Sequence, residues 1–415
     1  MKKVLILAVV VLSAAILIYA CGSSSSNKTT TPAGPGVAKF TTPAQAASSA
    51  ASLGGAVSLS STIGNVSGMA GSAIPSGYAP GKKGKVVNTA PIANLDPRLK
   101  VMVDKMMAEL RSPMVTGAMS KGRSFKALNT VRSAATTTTI NENCTLSGSM
   151  SLTATDNSAA GYSDFVLDIT YTNCKDTVSE EMTGAMHARH KLMKDNSSEI
   201  SDMTLSSLTL KQYQGSTVYE TIVLNGTFNS TDNKTSGNEY ADGTFAMDSQ
   251  GQSSTFAFSK LNDAWTKSGT SLPITEEHTS TGSFSLSFPI PANSGLQGNP
   301  TTMSFVIALT NLDVKDRSNV DGSTDEWLNG GISMTWTPAI PGSECVPGSL
   351  TVSTDVANPI HTPSTGCPTS GKATVNGATV EFGVPSGSQV TVTLNGTSQT
   401  FTDCNSMDTG GCGLM

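Results

Sequence analysis

The chain has 415 residues, enough for one large domain or two, of which 37% are hydrophobic and only 14% are charged. Ser, Thr, Gly and Asn fill the remainder, which is typical of extracytoplasmic β structure with polar faces, or of disorder. The formal net charge is −5, and we expect no nucleic-acid partner, although residues 1–132 hold fifteen Lys and Arg against three Asp and Glu.

The N-terminus has the layout of a secretory signal, predicted over residues 1–20. Two lysines precede an uncharged apolar run from Val4 to Ile18, which is too short for an easy transmembrane span. The border Ile18-Tyr19-Ala20-Cys21 resembles the lipobox of bacterial lipoproteins. The resemblance implies a membrane anchor of diacylglycerol and palmitate on Cys21, and the outer membrane as location because Gly22 follows the cysteine. The alternative is an ordinary signal peptide with a cysteine there by chance.

A stem is predicted between this border and the first strand. Residues 21–95 are rich in Ser, Thr, Ala, Gly and Pro and predict a flexible tether, which as a coil would span about 50 Å. Residues 96–113 predict an amphipathic helix with Asp96 as its N-cap, which packs against the β domain or lies on a partner or membrane surface. Residues 114–140 predict a basic linker. The basic stem lies against anionic head groups, folds back onto the acidic remainder of the chain, or stays solvated.

From Leu146 the hydrophobic period changes to two. The run Phe165–Tyr171 places four apolar side chains on one face, and later segments repeat this alternation. It predicts an all-β fold, an antiparallel meander over residues 141–337 folded as a barrel or a two-layer sandwich. Several glycines precede alternating apolar residues, and we interpret them as strand starts: Gly148, Gly184, Gly226, Gly243, Gly282, Gly331 and Gly371.

A small C-terminal β module is predicted over residues 345–415, beyond a proline-containing boundary at residues 337–345. Asn376-Gly377 and Asn395-Gly396 separate short apolar alternations. Both pairs predict type I′ hairpin turns, because Asn and Gly tolerate the positive φ that such turns require. A module of four short strands needs covalent support.

The cysteines provide that support. Without Cys21 the chain has six: Cys144, Cys174, Cys345, Cys367, Cys404 and Cys412. An even number in an exported chain predicts three disulfides, and the lack of a Cys-x-x-Cys pair weighs against a zinc site. Cys144 and Cys367 share the spacing Cys-x-x-Ser-Gly, and each is followed by strands and a later cysteine. We therefore predict the pairs 144–174 and 367–404, which leaves 345–412.

An acidic loop is the candidate metal site. Asn319-Val320-Asp321-Gly322 resembles the middle of a calcium loop of EF-hand or dockerin type, in which oxygen ligands alternate before a turn glycine. The predicted calcium ligands are Asp316, Asn319, Asp321, Asp325 and Glu326. The alternative is a solvated hairpin loop, and no other cofactor is expected.

The sequence has no zinc-protease, nucleophile-elbow or phosphate-loop motif, and His187 and His190 should face opposite sides of a strand. We therefore expect a non-catalytic, lipid-anchored envelope protein with a β-rich recognition or structural domain on a flexible stem, and an envelope protein or a glycan as its partner. The first alternative is a β-barrel that binds a glycan or apolar ligand, which exposed tryptophans at Trp265, Trp327 or Trp336 would favour. The second is an envelope hydrolase, which convergent carboxyl or imidazole groups would favour.

Overall fold

The computed structural model describes residues 36–50, 136–269, 271–289, 302–337, 346–364 and 366–407. The predicted signal peptide, Cys21, the helix 96–113, Cys345 and Cys412 lie outside these residues. The chain divides into two compact units, which we call the first unit (136–266) and the second unit (36–50 and 267–407). Within the described residues, no helix has the length and apolar character needed to cross a membrane.

The first unit consists of antiparallel strands, as the period-two pattern predicts. Their bounds are β1 (Thr136–Asn143), β2 (Ser147–Asp156), β3 (Tyr162–Thr177), β4 (Glu180–Met193), β5 (Glu199–Gln214), β6 (Thr217–Asp232), β7 (Ser236–Ser249) and β8 (Gln252–Ser268). Each strand from β1 to β7 pairs with the next along the chain, which confirms the antiparallel meander. The residues from Thr136 to Ile140 pair with β2, so the end of the predicted linker belongs to β1.

Glycines mark sites within strands more often than strand starts, which corrects one prediction. Strands β3 to β8 are 14 to 17 residues long, and Gly184, Gly226 and Gly243 lie inside them. Gly184 faces a β-bulge in β5, where a Cβ atom would lie 2.2 Å from the Ser207 carbonyl oxygen. Only glycine permits so close an approach of two backbones.

One face of the first unit carries its core. A row of buried side chains crosses six paired strands: Leu167, Ala188, Met203, Phe228, Ala241 and Leu261. The Phe228 ring centroid lies 5.7 Å from that of Phe245 and 6.2 Å from that of Phe258. Aromatic pairs at these separations add to the free energy of burial. The predicted apolar face of β3 is confirmed, since Leu167 and Ile169 are both buried.

The second unit contains the remaining strands. Their bounds are β9 (Ile274–Pro289), β10 (Thr302–Ser318), β11 (Thr324–Thr337), β12 (Gly348–Thr354), β13 (Ile360–Thr362), β14 (Gly371–Val375), β15 (Ala378–Phe382), β16 (Val390–Leu394) and β17 (Thr397–Phe401), followed by a 3₁₀ turn (Asn405–Met407). Ile332 of β11 pairs with Leu350 of β12, so the antiparallel ladder continues past the predicted boundary at 337–345. The structure therefore groups residues 267–337 with the C-terminal module, by which we mean residues 346–407.

Local turn and cysteine predictions are confirmed where the structure describes them. Asn376 and Gly377 have φ values of 44° and 83°, and Asn395 and Gly396 have 50° and 81°. These values fit the predicted type I′ turns. Cys144 is bonded to Cys174 and Cys367 to Cys404, with Cα atoms 5.4 Å and 5.7 Å apart.

Part of the predicted tether is ordered. Val37 forms a parallel bridge with Ser349 of β12, and residues 43–50 form a short helix, α1. Ala46 and Ala47 of this helix are fully buried. The flexible-tether prediction is therefore wrong for residues 36–50, because backbone hydrogen bonds and burial of small side chains outweigh the low hydrophobicity of the segment.

Candidate functional site on strands β9 to β11

The predicted calcium ligands are divided between the two faces of one hairpin. In the ladder of β10 and β11, Asp316 is opposite Glu326 and Arg317 is opposite Asp325. Because successive side chains of a strand point to opposite faces, Asp316 and Glu326 share one face while Asp325 lies on the other. In the part of the chain that the structure describes, no three His, Cys or carboxylate ligand atoms of this hairpin lie close enough to hold one ion. The five predicted ligands thus do not form a single site.

Donors around it already occupy the Asp325 carboxylate. Arg317 donates from Nε at 3.1 Å and from Nη2 at 2.5 Å, and the Asn319 amide donates at 3.1 Å. His361 Nδ1 lies 2.7 Å from the second carboxylate oxygen. Burial acts to raise the pKa of Asp325, but the hydrogen bonds from His361, Asn319 and Arg317 outweigh it and lower that pKa to about 2. Asp325 is therefore the ionised centre of a polar network.

The tip of the hairpin satisfies its own polar groups. The Asp321 carboxylate accepts hydrogen bonds from Ser323 Oγ at 2.6 Å and from Ser323 N at 3.0 Å, and these bonds lower the pKa of Asp321. The Asn319 amide also donates to Ser323 Oγ at 3.1 Å. Gly322 has a φ of 84°, the left-handed conformation that a tight turn needs. These contacts are those of the hairpin loop that the sequence analysis left as the alternative.

The more exposed face of β10 and β11 places Trp327 beside two cations. Lys315 Nζ and Arg317 Cζ each lie 5.8 Å from the Trp327 ring centroid, within the range of cation–π attraction. The indole N–H donates to the Val356 carbonyl oxygen at 3.2 Å, which fixes the orientation of the ring. We use the term Trp327 face for the surface made by Lys315, Arg317, Asp325, Trp327 and His361.

Charges on the Trp327 face are paired within the protein. Lys315 Nζ lies 2.7 Å from Glu277 on β9, and Arg317 is held by Asp325. Two valines are highly exposed: Val320 at 76%, in the hairpin loop, and Val356 at 82%, whose carbonyl oxygen accepts the hydrogen bond from Trp327. The face therefore combines an aromatic ring with charge-neutralised polar groups, which suits a polar partner more than a free ion.

The other two tryptophans serve packing. Trp336 packs with Phe288 and Phe305 against buried Met303. Trp265 lies over Gly237, where a Cβ atom would come within 2.5 Å of the indole ring. Trp327 is thus the tryptophan that the structure surrounds with polar and charged side chains.

On the opposite face of β9 to β11 lies a second group of ionisable side chains. Asp316 is opposite Glu326 on β11 and Glu276 on β9. Burial raises the pKa of Asp316 to about 6 and that of Glu326 to about 7, and the neighbouring carboxylates add to both shifts. His278 on β9 acts in the opposite direction on Asp316, and Lys267 donates to Glu276 at 2.5 Å. We call these five residues the carboxyl cluster.

The carboxyl cluster holds protons close to neutral pH. Asp316 and Glu326 are cross-strand neighbours, and such pairs have Cβ atoms roughly 5 Å apart. A carboxyl group that is protonated near neutral pH is able to donate that proton as a general acid. A general acid of this kind is what the hydrolase alternative requires. No motif in the sequence predicts it.

Glu276 and His278 were not among the predicted site residues, although the alternation of β9 places them on its apolar face. Both share the alternation of Phe284 in β9, so extending that pattern backwards places them on the face of the apolar side chains. The face of Asp316 could not be predicted in the same way. The ladder of β10 has a bulge between Thr310 and Asp313 that moves its later residues to the other face.

We expect the second unit to lose stability as pH rises from about 4.5 to about 7. The raised pKa values of Asp316 and Glu326 mean that the folded chain binds more protons than the unfolded chain in this range. Glu326→Gln should remove about 1–2 kcal/mol of the loss, a figure reduced to allow for solvent screening of a half-buried group. Urea unfolding between about pH 5 and pH 8 measures the dependence.

Glu277→Gln is the matched control, because Glu277 adjoins Glu276 in sequence but points to the opposite face and pairs with Lys315. Below about pH 4 the lowered pKa of Asp325 acts with the opposite sign, since its contribution is lost as that carboxylate gains a proton. If the free energy of unfolding changes with pH equally in Glu326→Gln and in the unchanged protein, Glu326 is not the source of the pH dependence.

The two histidines of β4 lie on opposite faces, as predicted. His187 Nδ1 lies 2.7 Å from Asp168 on an exposed surface. His190 is buried, and its Nδ1 lies 3.1 Å from Ser201 Oγ. Over the described residues neither histidine belongs to a group of three potential metal ligands.

Comparison with known proteins identifies no relative. No protein family, curated protein or solved structure matches the chain.

Proposed function

We propose that the protein is a non-catalytic, lipid-anchored recognition protein of the bacterial cell envelope that binds its partner through the Trp327 face. The observation that carries this proposal is the Trp327 ring, held by Val356 beside Lys315 and Arg317. Trp and Arg are the residue types that most often dominate binding energy at recognition surfaces. Because hydrogen bonds already hold these side chains, binding orders fewer rotamers and loses less entropy.

The location follows from the N-terminal sequence. The charged start, the apolar run and the lipobox-like border support a lipid on Cys21, and Gly22 supports the outer membrane under the sorting rule of the lipoprotein family. The disulfides 144–174 and 367–404 support an oxidising compartment. No cofactor is part of the proposal.

A neutral envelope glycan is the partner that we would test first. The cations of the face are neutralised by Glu277 and Asp325, so the face offers an aromatic ring and hydrogen-bonding groups without a strong field. A planar ring of this kind gives a large contact area at low conformational cost. An envelope protein is the second partner class, and the same variants report on both.

Trp327→Ala should weaken binding about thirtyfold, the effect of losing roughly 2 kcal/mol at a recognition centre. The measurement is binding of a form that lacks residues 1–21, and therefore the proposed anchor, to immobilised envelope polysaccharides, and separately to crosslinked envelope proteins. Tyr219→Ala is the matched control, because it removes a half-buried aromatic from the first unit. Equal binding by Trp327→Ala and the control, with melting temperatures unchanged, would contradict the assignment to this face.

An envelope hydrolase is the second candidate function, which the carboxyl cluster favours. Asp316 and Glu326 are neighbours with raised pKa values, as general acids often are. Retaining glycosidases, however, also need an ionised partner carboxylate, and here both pKa values are raised. Hydrolysis of any envelope polysaccharide that Asp316→Asn abolishes without changing melting would overturn the non-catalytic proposal.

A further inference from the structure

Residues 36–38 lie along β12 of the C-terminal module, where Val37 forms a parallel bridge with Ser349. Ser349 N donates to the Gly36 carbonyl oxygen at 2.9 Å, and Ala38 N donates to the Ser349 carbonyl oxygen at 3.0 Å. The Asn376 amide donates to the carbonyl oxygens of both Ala38 and Ser349, each at 2.9 Å. The Asn376–Ala38 bond joins positions 338 residues apart in sequence, and the two bonds of Ser349 pair backbone groups as in a bound peptide strand.

The module is shaped to admit this segment closely. Gly348 has a φ of 141°, and a Cβ atom there would lie 2.6 Å from the Gly36 carbonyl oxygen and 2.8 Å from Ala38 N. Ala38 and Phe40 of this segment are both buried. The segment therefore fits against β12 only because position 348 has no side chain.

Helix α1 adds a second contact to the module. Thr42 caps the helix by accepting a hydrogen bond from Gln45 N at 3.2 Å. Ala47 has no exposed surface, and Ser48 Oγ donates to the Met407 carbonyl oxygen at 3.3 Å. Residues 36–50, which we call the strap, thus contact the module both near its first strand and at its last described residue.

We propose that the C-terminal module contains a peptide-binding site whose ligand is the strap of the same chain, so that the module is tied to the lipid anchor. The second clause rests on the proposed lipid at Cys21. Only fourteen residues separate Cys21 from Gly36. Fully extended, they reach about 50 Å, so the module lies within that distance of the membrane surface. In sequence, residues 51–135 follow the strap and precede β1, so the link from Cys21 to the module through the strap does not include them.

The test uses the full-length lipoprotein with an affinity tag and a specific protease site inserted in that order within residues 51–135. Membranes carrying the protein are treated with the protease, which separates the strap from every strand. We expect the C-terminal fragment to stay with the membrane fraction after cleavage. Ala47→Asp should reduce the retained fragment about tenfold or more, because the buried position offers the new carboxylate no water.

Matched variants separate the strap contact from general damage. Ala44→Asp introduces the same charge in the less buried first turn of α1 and should keep the fragment bound. Gly348→Ala disturbs the site from the module side and should release the fragment. Gly366→Ala also places a side chain at a positive φ, here 95°, but no atom lies within 4 Å of its Cβ position, and this variant should keep the fragment bound.

Each remaining outcome decides one claim. The strap proposal is overturned if the unchanged protein releases the fragment as readily as Ala47→Asp does. It is also overturned if every variant retains the fragment. If the uncleaved chain is found in the soluble fraction, the lipid anchor is wrong. The strap is then judged by whether the tagged N-terminal fragment still captures the C-terminal fragment after cleavage.

Discussion

Gly184→Ala is expected to destabilise the first unit by roughly 3–5 kcal/mol. The added Cβ would lie 2.2 Å from the carbonyl oxygen and 2.6 Å from the carbonyl carbon of Ser207, and 2.8 Å from the Leu208 Cα. All three are backbone atoms of β5, so no rotamer change relieves the contact. The φ of 110° at Gly184 adds strain for any residue with a side chain. Urea unfolding of a form that lacks residues 1–21 measures the change.

Gly161→Ala is the matched control for this substitution. No atom lies within 4 Å of its Cβ position, and its φ is not in the left-handed region. The same chemical change should therefore alter the free energy of unfolding by no more than about 0.5 kcal/mol. If both variants unfold at the same urea concentration, the close approach of β4 and β5 does not limit position 184.

Loss of the Cys367–Cys404 disulfide should have the second largest effect. The bond closes a loop with a sequence separation of 37, and removing such a crosslink frees about 4 kcal/mol of unfolded-state entropy. The four strands inside this loop are five residues long each, and such short strands do not keep a small module folded without a covalent crosslink. In the double variant Cys367→Ala/Cys404→Ala we expect the C-terminal module to become sensitive to proteolysis while β1–β8 stay protected.

The other described disulfide provides a comparison of nearly equal loop length. Cys144 and Cys174 are separated by 30 residues, so Cys144→Ala/Cys174→Ala should also remove roughly 4 kcal/mol. That loss falls on the first unit, whose long strands bury a continuous row of core side chains. Proteolysis should therefore increase near β1–β3 and not in the module. An unchanged cleavage pattern in both double variants would show that neither bond supports the fold.

Local features of the chain were predictable from the sequence because short-range physics specifies them. The alternation in Phe165–Tyr171 requires a half-buried strand, since side chains of a strand alternate between faces. The two Asn-Gly pairs predict their turns because few other residues accept positive φ at both positions. The shared Cys-x-x-Ser-Gly spacing predicted both described disulfides. Each of these rules acts within a few residues of chain.

The residues of the candidate site were only partly predictable, because a bulge changes the alternation in β10. Buried Ile307 and Leu309 precede the bulge, and buried Leu312 and Val314 follow it with the opposite parity. Without the extra residue, Lys315 would share the face of Leu309, and Asp316 would lie opposite. The bulge therefore decides which face carries Asp316, whereas ordinary strand alternation alone places Asp325 and Glu326 on opposite faces.

The order of the strap and the structural role of the glycines were not predictable either, because both depend on partners that are distant in sequence or on another strand. The composition of residues 36–50 matches a flexible tether, and it becomes ordered only because β12 and Met407 offer partners more than 300 residues away. Gly184 has the same sequence context as a strand start, but a bulge in β5 makes it a point of close backbone approach. Periodicity, turns and cysteine pairs thus follow from the chain itself. The face to which a strand residue points and the binding of the strap are decided by the tertiary structure. A bulge or a sheet edge exists only relative to a neighbouring strand, so the sequence of one strand does not specify it.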